Sequence, residues 1–275
     1  MSTSTSTSTT STTPRPPAEA DRAPARRSAP SGIPFGRLLL VETRKLVDTR
    51  AGRGLLLAIA LVTAATVAVV LLTGEPEDLT WSSLALATAL PQAFLLPVLG
   101  ILAATAEWTH RTGLVTFALE PRRLRVGVAK LAAATLVGLV AVVVALAVGA
   151  LANVVGMLWL DGDGSWSLDA AQLGGATLLQ VIGVAQGVGF GAAIGSSAPA
   201  IVAFLVLPTL WSVLAVMISW LETPARWLDL TVTTGPLLEG SMASGDWLRL
   251  ATSVGLWVLL PLAVGTHRLL HREVS

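Results

Sequence analysis

Between Asp169 and Glu222 lie 52 residues without a formal charge. As one helix this run would extend about 78 Å at 1.5 Å per residue, more than twice the ~30 Å hydrocarbon thickness of a bilayer. It must therefore turn once. The break falls at Gly195-Ser196-Ser197-Ala198-Pro199, where glycine ends one helix and proline sits in the first turn of the next. Two spans result, about 170–195 and 199–221. Asp78 and Glu107 enclose 28 more uncharged residues, and Lys130 and Asp161 enclose 30, each above the ~18 apolar residues that mark a membrane helix. These runs give spans within 81–106 and 131–160. Two more follow at 54–73, directly after Arg50 and Arg53, and at about 248–266. The expectation is an all-α, polytopic integral membrane protein with six transmembrane helices.

Composition agrees: 53% of residues are hydrophobic and 13% charged, against roughly 25% charged in soluble domains. The absence of cysteine excludes a disulfide framework and any thiolate-held zinc or iron-sulfur centre. Pro91, Pro97 and Gln92 fall inside the second span, where a kink or broken turn is expected. Residues 1–32, a Ser/Thr repeat followed by Pro, Ala and Arg, are expected to form a disordered tail, because they cannot bury enough apolar surface to offset chain entropy. The transmembrane domain is 33–275.

Lysine and arginine set the direction of insertion. With the N-terminus inside, nine precede the first span, five lie in 107–130 and two follow the last span, leaving only Arg226 and Arg249 of the eighteen outside. Both termini are thus expected in the cytoplasm, and the protein in the cytoplasmic membrane as a multi-pass chain. Trp81, Trp159, Trp166, Trp220, Trp227 and Trp247 all fall at the outer ends, where indoles prefer the headgroup level. Residues 33–53 mix aliphatic and basic side chains and are expected to form an interfacial helix on the inner leaflet.

Three connections and one span carry further signals. The loop 107–130 is long, basic and amphipathic, with a short helix expected over 114–120 and Pro121 at its end; it is a candidate docking surface. Arg111, Arg122 and Arg123 supply charge, and Leu114, Val115, Phe117 and Leu119 supply apolar groups. Residues 222–247 are too apolar for a solvated loop and read as an interfacial or partly re-entrant piece. In the fourth span Gly183, Gly187, Gly191 and Gly195 recur every four residues, a stripe suited to close helix packing, and Gln172, Gln180 and Gln186 need partners or a wet cavity.

No charged side chain is expected in the middle of a span. Lys45 and Lys130 fall in membrane-proximal connections, three scattered histidines make no metal site, and no phosphate-cradling loop is present. An enzyme is not expected. Three segments, VETRKLVDTRAGRGLLLAIAL at 41–61, EWTHRTGLVTFALEPRRLRVGVAK at 107–130 and WVLLPLAVGTHRLLHREV at 257–274, resemble the membrane-spanning permease of ABC transporters of the second exporter class (ABC-2 type), particularly the small actinobacterial form. The resemblance covers about 33–275. It implies that Glu107, Arg111, Thr112, Thr116, Pro121, Arg122 and Arg123 occupy the region where a cytoplasmic ATPase docks, although His110-Arg111-Thr112 stands where many relatives have Gly-Thr. It further implies a partner ABC-type ATPase that carries the ATP-Mg, a second permease copy or homologue, surrounding membrane lipid and an unidentified exported substrate. No cofactor is expected on this chain, and no nucleic acid among its partners. The alternative reading is a non-transporting polytopic membrane scaffold or accessory protein.

Overall fold

The computed structural model describes residues 2–3, 33–109 and 112–271. The chain divides into residues 1–32 and 33–275, and all the helices among the described residues lie in the second unit. The expected disordered tail falls outside the described residues, apart from Ser2 and Thr3.

Helix α1, Phe35–Asp48, opens after Pro34 and stops at Thr49, whose extended backbone lets its hydroxyl cap α2, Arg50–Thr73, by accepting from the Gly52 amide at 3.1 Å. The corner is tight, and a Cβ at Gly52 would collide with the Leu46 carbonyl. Helix α3 is Trp81–Thr109, and α4, Gly113–Leu119, is a short helix ending at Glu120 before Pro121. Helix α5 is Arg123–Trp159, and α6, Ala170–Ile194, starts on Asp169, which accepts from the amides of Ala171 and Gln172. Gly195 then adopts φ 75°, the left-handed conformation that ends a helix, and α7, Ser197–Met217, begins two residues later. The long apolar run therefore turns at the glycine–serine–proline break.

Residues 222–247 form two short helices, α8 (Glu222–Leu228) and α9 (Leu230–Glu239), and the start of α10 (Ser244–Val254). Thr233, Thr234 and Leu237 of α9 are buried, and a Cβ at Gly175 of α6 would collide with the Leu237 carbonyl, so this connection packs on the bundle. A π turn over Gly255–Leu259 joins α10 to α11, Leu260–His271. Trp257 lies in that turn and donates to the Leu228 carbonyl at 2.8 Å.

All described regular structure is helical, and six helical stretches are long and apolar enough to cross a membrane. They are α2, α3, α5, α6, α7 and the composite α10–α11. Half of the apolar windows of α3 and α6 are buried, against 11% for α2; α3 and α6 are the axis of the bundle and α2 lies on its periphery. The core joins Leu96, Leu99, Ala103, Ala133, Val184 and Val188 from α3, α5 and α6.

Helix α3 runs through Pro91 and Pro97 as one continuous helix. The glycine stripe of α6 explains how: Gly183 lies against the Pro97 ring and Gly187 against the Pro97 backbone, while Gly191 sits beside Ala104 and Ile101. Absence of side chains on one helix admits the bulk of proline on the other, and packing stabilises what proline weakens. Gly195 serves instead as the helix terminator.

At one end of the bundle backbone hydrogen bonds join the α2–α3 and α5–α6 connections: the Asp163 amide donates to the Pro76 carbonyl at 2.9 Å and the Trp81 amide to the Ser165 carbonyl at 3.0 Å. The rings of Trp81 and Trp166 lie 5.7 Å apart there. The opposite end gathers α1, α4 and most of the described basic residues.

Candidate functional site: a buried charge cluster beneath a short exposed helix

At the basic end, α3 and α5 continue past the expected spans, so that Glu107 lies inside α3 and Lys130 inside α5. The two charges neutralise each other. Lys130 Nζ donates to Glu107 Oε1 at 2.6 Å, to Glu42 Oε2 at 2.7 Å and to the Ala103 carbonyl at 3.1 Å. Lys45 Nζ reaches the same carboxylates, Glu42 Oε1 at 2.6 Å and Glu107 Oε1 at 3.2 Å. Glu42, Glu107 and Lys130 are only 3–7% exposed. Two lysines and two glutamates make a neutral square that ties α1, α3 and α5 together.

Both charges stay near the ends of their helices rather than in the middle of a span, but they belong to α3 and α5 and not to a separate connection over 107–130. An isolated lysine would be costly at this depth, but a lysine enclosed by two carboxylates and a carbonyl is compensated. Burial works to depress the Lys45 ammonium, yet its hydrogen bond and charge contact with Glu42, and then Glu107, outweigh that and hold it above its ordinary value of 10.5. Every carboxylate of the square is engaged by lysine, and among the described residues no group of three His, Asp or Glu could hold a metal ion.

The signal for the cluster was present in α1. Leu38, Glu42 and Leu46, spaced by four, share one face and are all buried. A glutamate on an apolar helical stripe requires a buried cation. Lys45, three residues on, supplies one; Lys130 comes from 88 residues away and could not be assigned from spacing.

Beside the square, α4 is fastened at its C-terminal end. Glu120, buried, pairs with Arg125 at 2.7 Å, and Arg125 also donates to the Ile33 carbonyl at 2.8 Å. Arg123 donates to the Leu269 carbonyl of α11 at 3.0 Å and lies 5.2 Å from the Phe117 ring centre. Phe117 in turn packs 6.4 Å from Trp108 and against Leu38, Val126 and Ala129. Phe117 and Arg123 thus point into the protein and anchor the short helix.

The outward face of α4 is different. Leu114, Val115 and Leu119 are 57–68% exposed. Thr112, Pro121 and Arg122 are also exposed, Thr116 is half-buried, and Arg111 lies outside the described residues. Of the residues expected at a docking surface, Glu107, Phe117 and Arg123 pack against the protein, whereas Leu114, Val115, Leu119 and Arg122 are exposed.

No protein-family model matches the chain, and no curated protein matches it.

Proposed function

We propose that this protein is the membrane-spanning, non-hydrolytic permease subunit of an ABC-2-type export complex, moving a substrate across the cytoplasmic membrane with energy from a separate ATPase that carries the ATP-Mg. The observation that carries the reading is the pairing of an exposed apolar face on α4 with a rigid mounting. Three exposed aliphatic side chains on a seven-residue helix are unfavourable in water and suit an apolar groove on a partner. The Glu120–Arg125 pair and the Arg123–Phe117 contact couple α4 to α5, Arg123 reaches α11, and the charge square ties α5 to α1 and α3. A push on α4 then moves spanning helices as bodies rather than flexing a loop.

Sidedness follows from the basic residues, which gather at the α4 end, and from the six tryptophans at the other. On this reading α4, α1 and both termini are cytoplasmic, with α1 along the inner leaflet. A second permease copy or homologue and a pair of ATPases complete the working unit by family resemblance.

The test is co-expression with candidate ABC-type ATPases from the same genome, comparing co-purification and ATP turnover in liposomes. A Leu114→Asp/Leu119→Asp variant is expected to insert and remain monodisperse yet lose ATPase association. Phe117→Ala is expected to weaken association less directly, by loosening the mounting. Wild-type association in the double variant would remove α4 from the coupling role. Failure of the unmodified chain to bind any of the ATPases would favour the scaffold reading.

A further inference from the structure

Two glutamines on the axial helices are buried without partners. Gln92 of α3 is 2% exposed and Gln180 of α6 is 3% exposed. The Gln92 carbonyl oxygen and both polar atoms of Gln180 have no hydrogen-bond partner among the described residues. A buried amide in that condition is costly and calls for an occupant that can hydrogen-bond.

Both amides line one central cavity of about 30 Å³ between α3, α5 and α6. Each also lines a larger apolar space. Gln180 borders a cavity of about 430 Å³ walled by Leu86, Leu90 and Leu179. Gln92 borders one of about 440 Å³ between α2, α3 and α5, walled by Leu56, Leu96 and Val140, where the buried Thr63 hydroxyl is likewise unpartnered.

These features constrain the occupant. Water would satisfy the amides but is a poor filling for two apolar cavities of small-molecule size. Hydrocarbon would fill the cavities and leave the amides unsatisfied. The central cavity has room for a group no larger than a hydroxyl or primary amide. Among the described residues Asp169 is the one ionisable residue lining any of the three cavities, and its carboxylate already caps α6. It precedes Gln180 by eleven residues, about 16 Å of helix rise. Nothing at the depth of the amides offsets a charged head group.

We infer that Gln92 and Gln180 form the hydrogen-bonding floor of a binding site for a single-chain amphiphile with an uncharged hydroxyl or amide head, its alkyl chain lying in one of the flanking cavities. The site stands independently of the permease reading, because it rests on the two buried amides and the apolar grooves that open beside them.

The test uses the full chain in phosphatidylcholine nanodiscs with two photoreactive probes, a diazirine-bearing dodecanol and the matching dodecane without the hydroxyl. Preferential labelling by the alcohol, about fivefold for one net hydrogen bond, is expected at residues 86–93 and 176–180. A Gln92→Leu/Gln180→Leu variant should bring the ratio to about one. Equal labelling by the two probes in the unmodified protein would overturn the proposal, as would a preference that survives the double substitution. Should the double variant fail to fold, Gln180→Met alone and the unmodified ratio still decide. Displacement of the bound probe by excess dodecanol would identify an exchangeable ligand, and retention a resident lipid-derived one; either supports the site.

Discussion

Lys130 gives the sharpest perturbation. Its ammonium holds Glu107 at 2.6 Å, Glu42 at 2.7 Å and the Ala103 carbonyl at 3.1 Å, all charge-assisted or in a buried setting where such bonds are strong. Lys130→Met keeps the bulk of the stem but leaves two buried carboxylates facing Lys45 alone, a net charge of −1 in the enclosure. Removing one member of a buried ionic group costs about 3–5 kcal/mol, chiefly because the remaining charge is uncompensated. For a domain of this size that corresponds to roughly 10 °C in Tm. Glu107→Gln alone leaves the opposite excess. The double variant restores neutrality, since Lys45 and Glu42 remain paired, so it should be more stable than Lys130→Met alone, with a coupling of about 2 kcal/mol. Thermal unfolding in detergent, with monodispersity as the control for folding, measures all four corners of the cycle. Strictly additive losses would refute the reasoning, because they would mean that Lys130 and Glu107 do not sense each other's charge.

Two adjacent glycines give a matched pair. Gly174→Ala enters open space and should leave the yield of folded protein unchanged, whereas Gly175→Ala meets the Leu237 carbonyl and should reduce it; Gly187→Leu, driven into the Pro97 backbone, should abolish it, and equal yields from all three would show that the α6 stripe is not a packing surface. The raised Lys45 value gives a pH signature. Its contribution is intact below 10.5 and is lost as pH climbs through the higher folded value. The Tm should therefore fall on the alkaline side more steeply in the unmodified protein than in Lys45→Met, and parallel curves would contradict the pairing.

Much of this architecture is legible without coordinates because hydrocarbon tolerates so little. Charge-free runs of defined length, the Gly195–Pro199 break and the basic bias of alternate connections each follow from solvation and helix rise, which act locally along the chain. Helix α4 and its stop before Pro121 are local in the same sense. What the sequence could not decide is which groups meet. Periodicity places Leu38, Glu42 and Leu46 on one face of α1, but that Glu42 faces Lys130 depends on how α1 lies across α5. The glycine stripe of α6 announces a close neighbour, yet only the tertiary packing identifies Pro97 of α3 as the bulk it accommodates. Likewise Phe117 and Leu114 are equivalent as apolar residues of a short helix until the bundle buries one and exposes the other. Insertion is governed by each segment's exchange with lipid, whereas pairing is governed by surfaces that exist only once several segments have packed.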